Sequence, residues 1–342
     1  MIRRIVAAVF LVAIATVLFV VVWPQALGLQ AQPIVAQVVA LRGLDVAIAL
    51  GLIVIALLAA LVWRRAGRFF GAVAVLLVVF VLASGGILET RGFGSSTAPK
   101  QPQTQTQTQP DVTVLSWNTK GGAPGPEKIA KLAIAQHADI VALPETTQQD
   151  GVEIEAIMRA AGRPMWVLSA AHGYIYRSHA TTLLVSSALG SYSVNTFAGD
   201  TSVSSTVIAE PNRADSPVIV AVHAVSPKPQ EMRNWRSDLS YLATRCTGGN
   251  LIMAGDFNAT LDHLRGYGQK GHDFGDCTDS GAASGGAALG SWPTSLPQLL
   301  GAQIDHVMYG STWKVVAMKV VGTEDAAGSD HRPVVATLAR VP

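Results

Sequence analysis

Three long apolar segments dominate the N-terminal part of the chain. Ile5–Val22 and Val46–Trp63 each run for 18 residues without a charged side chain, and Phe69–Leu88 runs for 20. A helix needs about 20 apolar residues to cross the hydrocarbon core of a bilayer, and none of the three has the polar stripe of a helix buried in a soluble protein. The pattern predicts three transmembrane helices, at about residues 5–23, 46–63 and 69–88, in a membrane part covering residues 1–91. The first segment alone would also suit a signal peptide, although it is longer than usual and two further spans follow.

The basic residues beside these spans predict their orientation. Arg3 and Arg4 precede the first span, and a cluster of three arginines fills the turn between the second and third, at residues 64, 65 and 68. The connection between the first two spans lacks Lys and Arg as far as Val39. Because loops rich in Lys and Arg stay in the cytoplasm, we expect a multi-pass protein of the plasma membrane. Its N-terminus is then cytoplasmic and everything after Leu88 is extracytoplasmic.

A polar tract follows the third span. Residues 92–110 contain the sequence QPQTQTQTQP, and alternating Gln and Thr with Pro cannot bury enough apolar surface to fold. We expect a flexible tether that keeps the next domain close to the outer headgroups. A recognition role for the tract is the alternative.

From residue 111 onward the apolar runs become short and end in polar residues, as in a water-soluble domain. Strands dominate, helices are interspersed and no repeat is evident, so the expected fold class of residues 111–342 is α+β or mixed, with sheets covered by helices. The pattern predicts helices at Pro126–Gln136 and Glu231–Thr244 and a loop at Gly281–Gly290. It predicts strands at Val112–Trp117, Asp139–Leu143, Thr181–Ser187, Pro217–Val225, Leu251–Gly255, Gln303–Tyr309, Trp313–Val321 and Arg332–Leu338.

Composition separates the two parts further. Only 14% of the chain is charged, against about 25% in a typical soluble domain, which excludes a single cytosolic globule. Residues 111–342 hold 17 basic and 21 acidic residues, a net charge of −4. Without a basic run this part is not favoured as a nucleic-acid binder, although such binding stays possible. Both cysteines, Cys246 and Cys277, lie here, and an even count in an oxidising compartment favours one disulfide over two free thiols.

The candidate chemistry lies where strands end. Asn118, Glu145 and the pair Asp256 and Asn258 directly follow predicted strands. Polar groups at the edge of a buried sheet are costly unless they have partners, and clustered carboxylates repel one another unless a cation lies among them. Oxygen ligands without a thiolate favour Mg²⁺ or Mn²⁺. Four further polar residues lie within or beside strands: His223, Asp305, Asp330 and His331.

Six short motifs contain these residues: WN at 117–118, LPE at 143–145, HA at 223–224, GDFN at 255–258, IDHV at 304–307 and SDHRPV at 329–334. In this order they resemble the motifs of the endonuclease/exonuclease/phosphatase superfamily, which has the deoxyribonuclease-I-like fold. The resemblance covers residues 111–342 and rests mainly on GDFN and SDHRPV. It implies a four-layer α/β/β/α sandwich with a metal site at one end.

The resemblance also implies roles for the residues in these motifs. Glu145 is the main metal ligand, with Asn118 and Asp330 completing the metal environment. Asp305 pairs with His331 and raises its basicity, while Asp256 orients or deprotonates the attacking water. Asn258 and His223 donate hydrogen bonds to the phosphoryl oxygens. Whether Asp256 or His331 takes the proton stays open.

Other residues are left with alternatives. His306 either supports the site from behind or simply packs. The family's tyrosine or arginine between the glutamate and the first histidine corresponds to Tyr174, Tyr176 or Arg177. Five further histidines carry no motif and are expected on the surface: His137, His172, His179, His263 and His272.

Three hypotheses for function follow. The first is a membrane-anchored, divalent-metal-dependent phosphoesterase that hydrolyses a phosphate ester or pyrophosphate, lipid-linked or small, by in-line attack of water outside the cell. In architecture this protein resembles the glycopeptide-resistance membrane phosphatases. The second is an extracellular endonuclease or exonuclease cleaving DNA or RNA. The third is an inactive domain that binds a partner or ligand.

Overall fold

The computed structural model describes residues 1–94, 112–172 and 177–341. The predicted tether at residues 92–110 lies outside the described residues from residue 95 onward, as do Tyr174 and Tyr176. The described helices are α1 Ile2–Val22, α2 Val35–Ala40, α3 Arg42–Val62, α4 Gly67–Arg91, α5 Pro126–Ala135, α6 Gln148–Ala160, α7 Met232–Arg245, α8 Leu261–Leu264 and α9 Ser280–Ser284. The described strands are β1 Val112–Ser116, β2 Ile140–Pro144, β3 Met165–Ala171, β4 Ala180–Ser186, β5 Tyr192–Val194, β6 Val207–Pro211, β7 Val218–His223, β8 Leu251–Asp256, β9 Thr278–Asp279, β10 Asp305–Tyr309, β11 Trp313–Val320 and β12 Val334–Arg340.

The strands form two mixed sheets of six. The first has the order β11-β12-β1-β2-β4-β3, and the second has the order β5-β6-β7-β8-β10-β9. An apolar cluster joins the facing sides of the two sheets. A second cluster joins the first sheet to α5 and α6, and a third joins the second sheet to α7. This arrangement confirms the predicted α+β sandwich of four layers preceded by three long apolar helices.

Strand β1 illustrates why the central strands are nearly continuous apolar runs. Val112 and Val114 point between the sheets, whereas Leu115 and the following Trp117 pack on the helical side. All four side chains are almost completely buried. A strand covered on both faces cannot alternate apolar with polar residues, so the sequence signal is a short apolar block.

Eight described elements escaped the sequence pattern: α2, α6, α8, α9, β3, β5, β6 and β9. Strands β3 and β5 lie at sheet edges, where several side chains remain partly exposed. Helix α6 begins with a capping box in which Thr147 and Asp150 bond each other's backbone N–H groups. The predicted loop at Gly281–Gly290 is wrong at its start, because α9 extends to Ser284. The Asp279 side chain caps that helix by accepting a hydrogen bond from Ala282 N.

Helices α1, α3 and α4 are each long and apolar enough to cross a membrane. Helix α4 packs against both α1 and α3. The end of α1, the segment 24–41, the start of α3 and the end of α4 all lie at one end of this bundle, and the sandwich contacts that end. The N-terminus and the turn between α3 and α4 lie at the other end.

The disulfide between Cys246 and Cys277 joins the end of α7 to the segment before β9, with the two Cα atoms 5.8 Å apart. Both residues are buried beneath the second sheet. The bond closes a loop across a sequence separation of 31 residues.

Replacing both cysteines by serine is expected to lower the free energy of unfolding by about 3–4 kcal/mol. The disulfide restricts the unfolded chain by the entropy of closing a loop of this length, and the substitution removes that restriction. The measurement is chemical unfolding of the full chain in detergent, followed by tryptophan fluorescence. Adding reductant to the parent protein should reproduce the loss. Equal stability of the parent and the double variant would contradict the expectation.

Candidate active site

Strand register places the polar residues at one rim of the sandwich. Strands β7 and β8 are parallel, with His223 opposite Asp256, and β10 runs antiparallel to β8 with Asp305 opposite Asp256. Three chemically active side chains therefore stand side by side across three neighbouring strands. In the other sheet β1 and β2 are parallel, so Asn118 and Glu145 follow strand ends at a common edge.

The amide of Asn118 connects the two sheets. Its Nδ2 donates to Asp256 Oδ2 at 2.9 Å and to Glu145 Oε1 at 3.2 Å. Its backbone carbonyl accepts from the Ser329 hydroxyl at 2.6 Å, which ties in the segment that carries Asp330 and His331. Asn118 thus joins the ends of three separate chain segments.

The backbone at this rim is unusual. Glu145 and Asn258 adopt left-handed conformations, with φ of 59° and 48°, which residues with a side chain seldom adopt and which are often found at functional sites. Gly255 has a φ of 153°, and a Cβ there would overlap the Val222 carbonyl on β7. Glycine is required at this position because the parallel strands approach so closely before Asp256.

A buried imidazole lies between two carboxylates. His331 Nδ1 is 2.8 Å from Asp305 Oδ2, and His331 Nε2 is 3.8 Å from Asp256 Oδ2. Burial alone would lower the pKa of His331, but Asp305 and Asp256 raise it to about 10. Burial raises the pKa of Asp256 to about 7, and His331 acts in the opposite direction. The two carboxylates therefore favour the protonated form of His331.

Asp256 is held in place by Asn258. The backbone N–H of Asn258 donates to Asp256 Oδ1 at 2.8 Å, and its Nδ2 lies 3.2 Å from Asp256 Oδ2 and 2.9 Å from the Ala224 carbonyl. Trp235 fixes the same turn by donating from Nε1 to the Asn258 carbonyl at 3.0 Å. The turn therefore has few degrees of freedom.

His223 is fully buried and neutral. Its desolvation, with smaller contributions from His331 and His179, lowers its pKa to about 3. Its Nδ1 has no hydrogen-bond partner among the described residues. The His223 ring also forms part of the cavity wall described below.

Glu145 and Asp330 lie on the more open side of the rim. Burial raises the pKa of Glu145. Asp330 Oδ2 is 3.4 Å from Trp292 Nε1 and 3.9 Å from Lys120 Nζ, and its side chain is 40% exposed. These two carboxylates are accessible, whereas Asp305 is buried.

One cavity of about 430 Å³ joins most of these groups. Of the eight residues predicted for catalysis or metal binding, seven line it, while Asp305 lies behind His331. Trp292, Lys228 and His179 also line the cavity, and the sequence pattern missed them because they lie outside predicted strands. The predicted residues along its wall are Asn118, Glu145, His223, Asp256, Asn258, Asp330 and His331.

His306 supports the site from behind. Its Nδ1 is 2.8 Å from Asp279 Oδ2 and its Nε2 is 2.9 Å from the Ala259 carbonyl, directly after the Asp256–Asn258 turn. Arg177 lies outside the cavity wall and bonds Gly121 O and Asp150. The expected surface position is wrong for His263, which is buried against the Ala36 carbonyl at 3.1 Å.

The donor set suits a divalent cation. Asp256, Asp305 and His331 have potential ligand atoms within 4.8 Å of one another, but His331 Nδ1 bonds Asp305 Oδ2, which leaves the carboxylate oxygens as the free donors of this group. Asp305 Oδ1 is buried without a hydrogen-bond partner in the described part of the chain. Glu145 and Asp330 add accessible carboxylate oxygens on the cavity wall. Hard oxygen ligands of this kind bind divalent metals.

A two-sheet sandwich with acids, amides and imidazoles gathered in one cavity at its rim is typical of metal-dependent hydrolases that act on phosphate esters. A sequence model described as the Endonuclease/Exonuclease/phosphatase family matches residues 115–331. The chain belongs to this family, whose members hydrolyse phosphate ester bonds with divalent metals.

Solved structures share the fold. A humanised TDP2 of D. rerio with 14 mutations matches with a TM-score of 0.51 and 14% identity, covering 67% of this chain and 98% of that chain. D. rerio TDP2 complexed with single-strand DNA product gives 0.50 and 15%, covering 67% and 99%. An endonuclease/exonuclease/phosphatase from Beutenbergia cavernae gives 0.50 and 17%, covering 68% and 72%. Comparison with curated proteins gives no match.

Replacing Asp305 by Asn is expected to lower the pKa of His331 by about one to three pH units, because the neighbouring carboxylate stabilises the imidazolium. The measurement is an NMR titration of the histidine rings in the full chain. Asp279→Asn is the matched control, since it removes the carboxylate beside His306 and leaves His331 paired. An unchanged His331 titration in Asp305→Asn would show that the pair does not set its charge.

Proposed function

We propose that this protein is a membrane-anchored, divalent-metal-dependent phosphoesterase that hydrolyses a phosphate ester or pyrophosphate outside the cytoplasm. The observation that carries the proposal is the convergence of residues from both sheets on one cavity, with Asn118 bonded to both Glu145 and Asp256. An inactive binding domain would not need these buried charges, which are costly to keep.

Glu145, Asn118 and Asp330 would hold Mg²⁺ or Mn²⁺. They offer oxygen atoms on the cavity wall, whereas His331 Nδ1 already bonds Asp305. The metal, when bound, offsets the negative charge that builds on the phosphoryl oxygens. Lys120 lies beside Asp330 and adds positive charge at the same edge.

Asp256 is the group that orients the attacking water and accepts its proton. Its pKa of about 7 suits a base working near neutral pH. Because Asp305 and Asp256 favour its protonated form, His331 is assigned to stabilising negative charge on the substrate instead of removing a proton. Asp305 keeps it in that state and fixes its orientation.

His223 completes the set by donating a hydrogen bond to a phosphoryl oxygen, because its ring is neutral and lines the cavity. Asn258 lines the same cavity. Its two Nδ2 N–H groups bond Asp256 Oδ2 and the Ala224 carbonyl, and the longer bond, at 3.2 Å to Asp256, is the one that would be exchanged for a phosphoryl oxygen. Fixed donors of this kind stabilise a transition state without reorganising.

The substrate class follows from charge and attachment. A net charge of −4 on residues 111–342 favours a small or lipid-linked phosphate over a long polyanion. Attachment to a membrane raises the local concentration of the enzyme at headgroups. Cleavage of DNA or RNA is the second candidate, favoured by the fold shared with TDP2 bound to single-strand DNA product.

The full chain in lipid nanodiscs with Mg²⁺ is expected to release phosphate from a polyprenyl pyrophosphate or a small phosphate ester. Glu145→Gln and Asp256→Asn should each lower the rate about 100-fold or more, because each removes a group that stabilises the transition state. Chelation should abolish the activity, and added Mg²⁺ or Mn²⁺ should restore it. Phosphate release and plasmid nicking are measured side by side.

Glu127→Gln is the matched control, because Glu127 pairs with Lys131 on the exposed face of α5, away from the cavity. It should keep the parent rate. Nicking of plasmid DNA without release of phosphate would favour the nuclease. Activity that survives both Glu145→Gln and Asp256→Asn would rule out this site.

The proposal also includes an orientation in which the sandwich lies on the extracytoplasmic side of the membrane. The sandwich contacts the end of the helical bundle opposite the arginines at residues 3, 4, 64, 65 and 68, which the positive-inside rule places in the cytoplasm. A reporter that is active only outside the cytoplasm, fused after Pro342, should be active. Activity from a reporter that works only in the cytoplasm would reverse the orientation.

A further inference from the structure

A buried ion cluster joins the sandwich to the membrane helices. Asp262 on α8 accepts from Arg42 at the start of α3 at 2.9 Å and from Arg91 at the end of α4 at 2.8 Å. The side chains of the three residues are at most 10% exposed. Gln25 donates to the Asp262 carbonyl at 2.8 Å. The Asp262 carboxylate of the sandwich therefore bonds both α3 and α4 at the end of the helical bundle that faces the sandwich.

The partners in this cluster depend on one another. Burial alone would raise the pKa of Asp262, but Arg91 and Arg42 lower it well below its usual range. Without these arginines Asp262 would be a buried, unpaired charge, and without Asp262 the two arginines would repel each other. Separating the sandwich from the helices thus carries a large electrostatic cost.

The segment 24–41, between α1 and α3, forms a second contact. The Ala31 carbonyl accepts from Arg236 on α7 at 3.1 Å, and the Ala36 carbonyl lies 3.1 Å from His263 Nε2. Ala36 is fully buried in the same apolar cluster as Trp235 and Phe257. A residue of the membrane part therefore belongs to the core of the sandwich.

This contact reaches the cavity wall. Gln37 donates from Nε2 to the Pro227 carbonyl, and the residues on both sides of Pro227, Ser226 and Lys228, line the cavity. On the other side, only the short segment after Asn258 separates the catalytic turn from Asp262. Two portions of the cavity wall are thus attached to the membrane part.

The end of α1 and the segment 24–41 carry apolar side chains suited to a bilayer surface. Trp23, Leu27 and Ile34 are 58%, 56% and 77% exposed. Tryptophan at the end of a transmembrane helix marks the level of the headgroups. Pro227 bonds this segment, so the adjoining cavity wall lies near that level.

We propose that these contacts form a docking surface that holds the cavity at the outer bilayer surface and so favours phosphate esters embedded in that leaflet over those free in water. The docking surface consists of Gln25, Ala31, Ala36, Gln37, Arg42 and Arg91 of the membrane part with Pro227, Arg236, Asp262 and His263 of the sandwich. The inference rests on the proposed phosphoesterase activity and deepens it by naming the source of substrate. The tether alone would allow the cavity to face any direction.

The test compares Asp262→Asn with the parent chain in nanodiscs on two substrates: a polyprenyl pyrophosphate in the disc and a water-soluble nitrophenyl phosphate ester. The variant should lose about 100-fold on the lipid substrate, the low end of what a fixed local concentration contributes, and keep the parent rate on the soluble ester. Gln37→Ala removes one contact without burying a charge and should show a smaller loss of the same kind. Glu127→Gln, an equivalent carboxylate-to-amide change far from the interface, should alter neither rate.

The double substitution Gln37→Cys and Pro227→Cys supplies an independent readout of docking. A short bismaleimide should cross-link the pair in the otherwise unchanged chain, and Asp262→Asn should reduce the yield. Absence of the cross-link in the parent background would overturn docking, whatever the activities.

The two proposals fail in different ways. Equal losses on both substrates in Asp262→Asn would mean that Asp262 acts through the catalytic turn, and unchanged lipid hydrolysis with a lost cross-link would mean that docking does not select substrate. Either result overturns the inference. A cross-linked parent chain that hydrolyses neither substrate would instead reject the proposed phosphoesterase and, with it, the selection of lipid substrate.

Discussion

The structure of the site depends on the burial of two carboxylates against one imidazole. Asp256 and Asp305 are opposite each other on neighbouring antiparallel strands, and neither is exposed to water that could screen its charge. His331 lies between them, and the two carboxylates raise its pKa and so favour the compensating positive charge. Since His331 precedes a strand of the other sheet, this interaction also fixes how the two sheets meet. Asn118 reinforces the junction from the first sheet. The same contacts therefore hold the residues at the rim of the cavity and fix how the two sheets pack together.

The long apolar helices and the segment between the first two of them also contact the sandwich. The fourth layer of the sandwich consists of α7, and the segment 24–41 extends the same layer through Ala36. A polar tether would allow the catalytic domain to tumble, whereas the contacts of Asp262 with Arg42 and Arg91 give it one orientation. The short distance along the chain from Asn258 to Asp262 means that catalytic turn and membrane contact share one rigid stretch of backbone.

Most of the site could be predicted because its residues follow buried strands, whose apolar blocks are the strongest local signal in the sequence. The edge strands β3 and β5 gave no such signal. Several of their side chains are exposed to solvent, so their residues do not form an apolar block. His263 shows a second limit: its partner Ala36 is 227 positions earlier in the chain, and no local pattern reports a contact of that range. Trp292 reaches the cavity from an irregular segment, where neither periodicity nor a motif marks a residue. The predicted tether lies outside the described residues from residue 95 onward, and the direct contacts between the apolar helices and the sandwich depend on tertiary packing that no local pattern indicates.

The inclusion of Ala36 in the sandwich core bears on how the protein is made. Chains emerge from the ribosome N-terminus first, and domains fold largely as units in that order. The three helices and the segment 24–41 are therefore complete before α7 and α8 are synthesised. When α7 and α8 fold, their contact partners Arg42, Arg91 and the backbone of Ala36 are already in place. In this order of events the sandwich folds against helices that are already present, and residues 112–341 released from them would expose an unpaired Asp262 and an uncovered apolar patch.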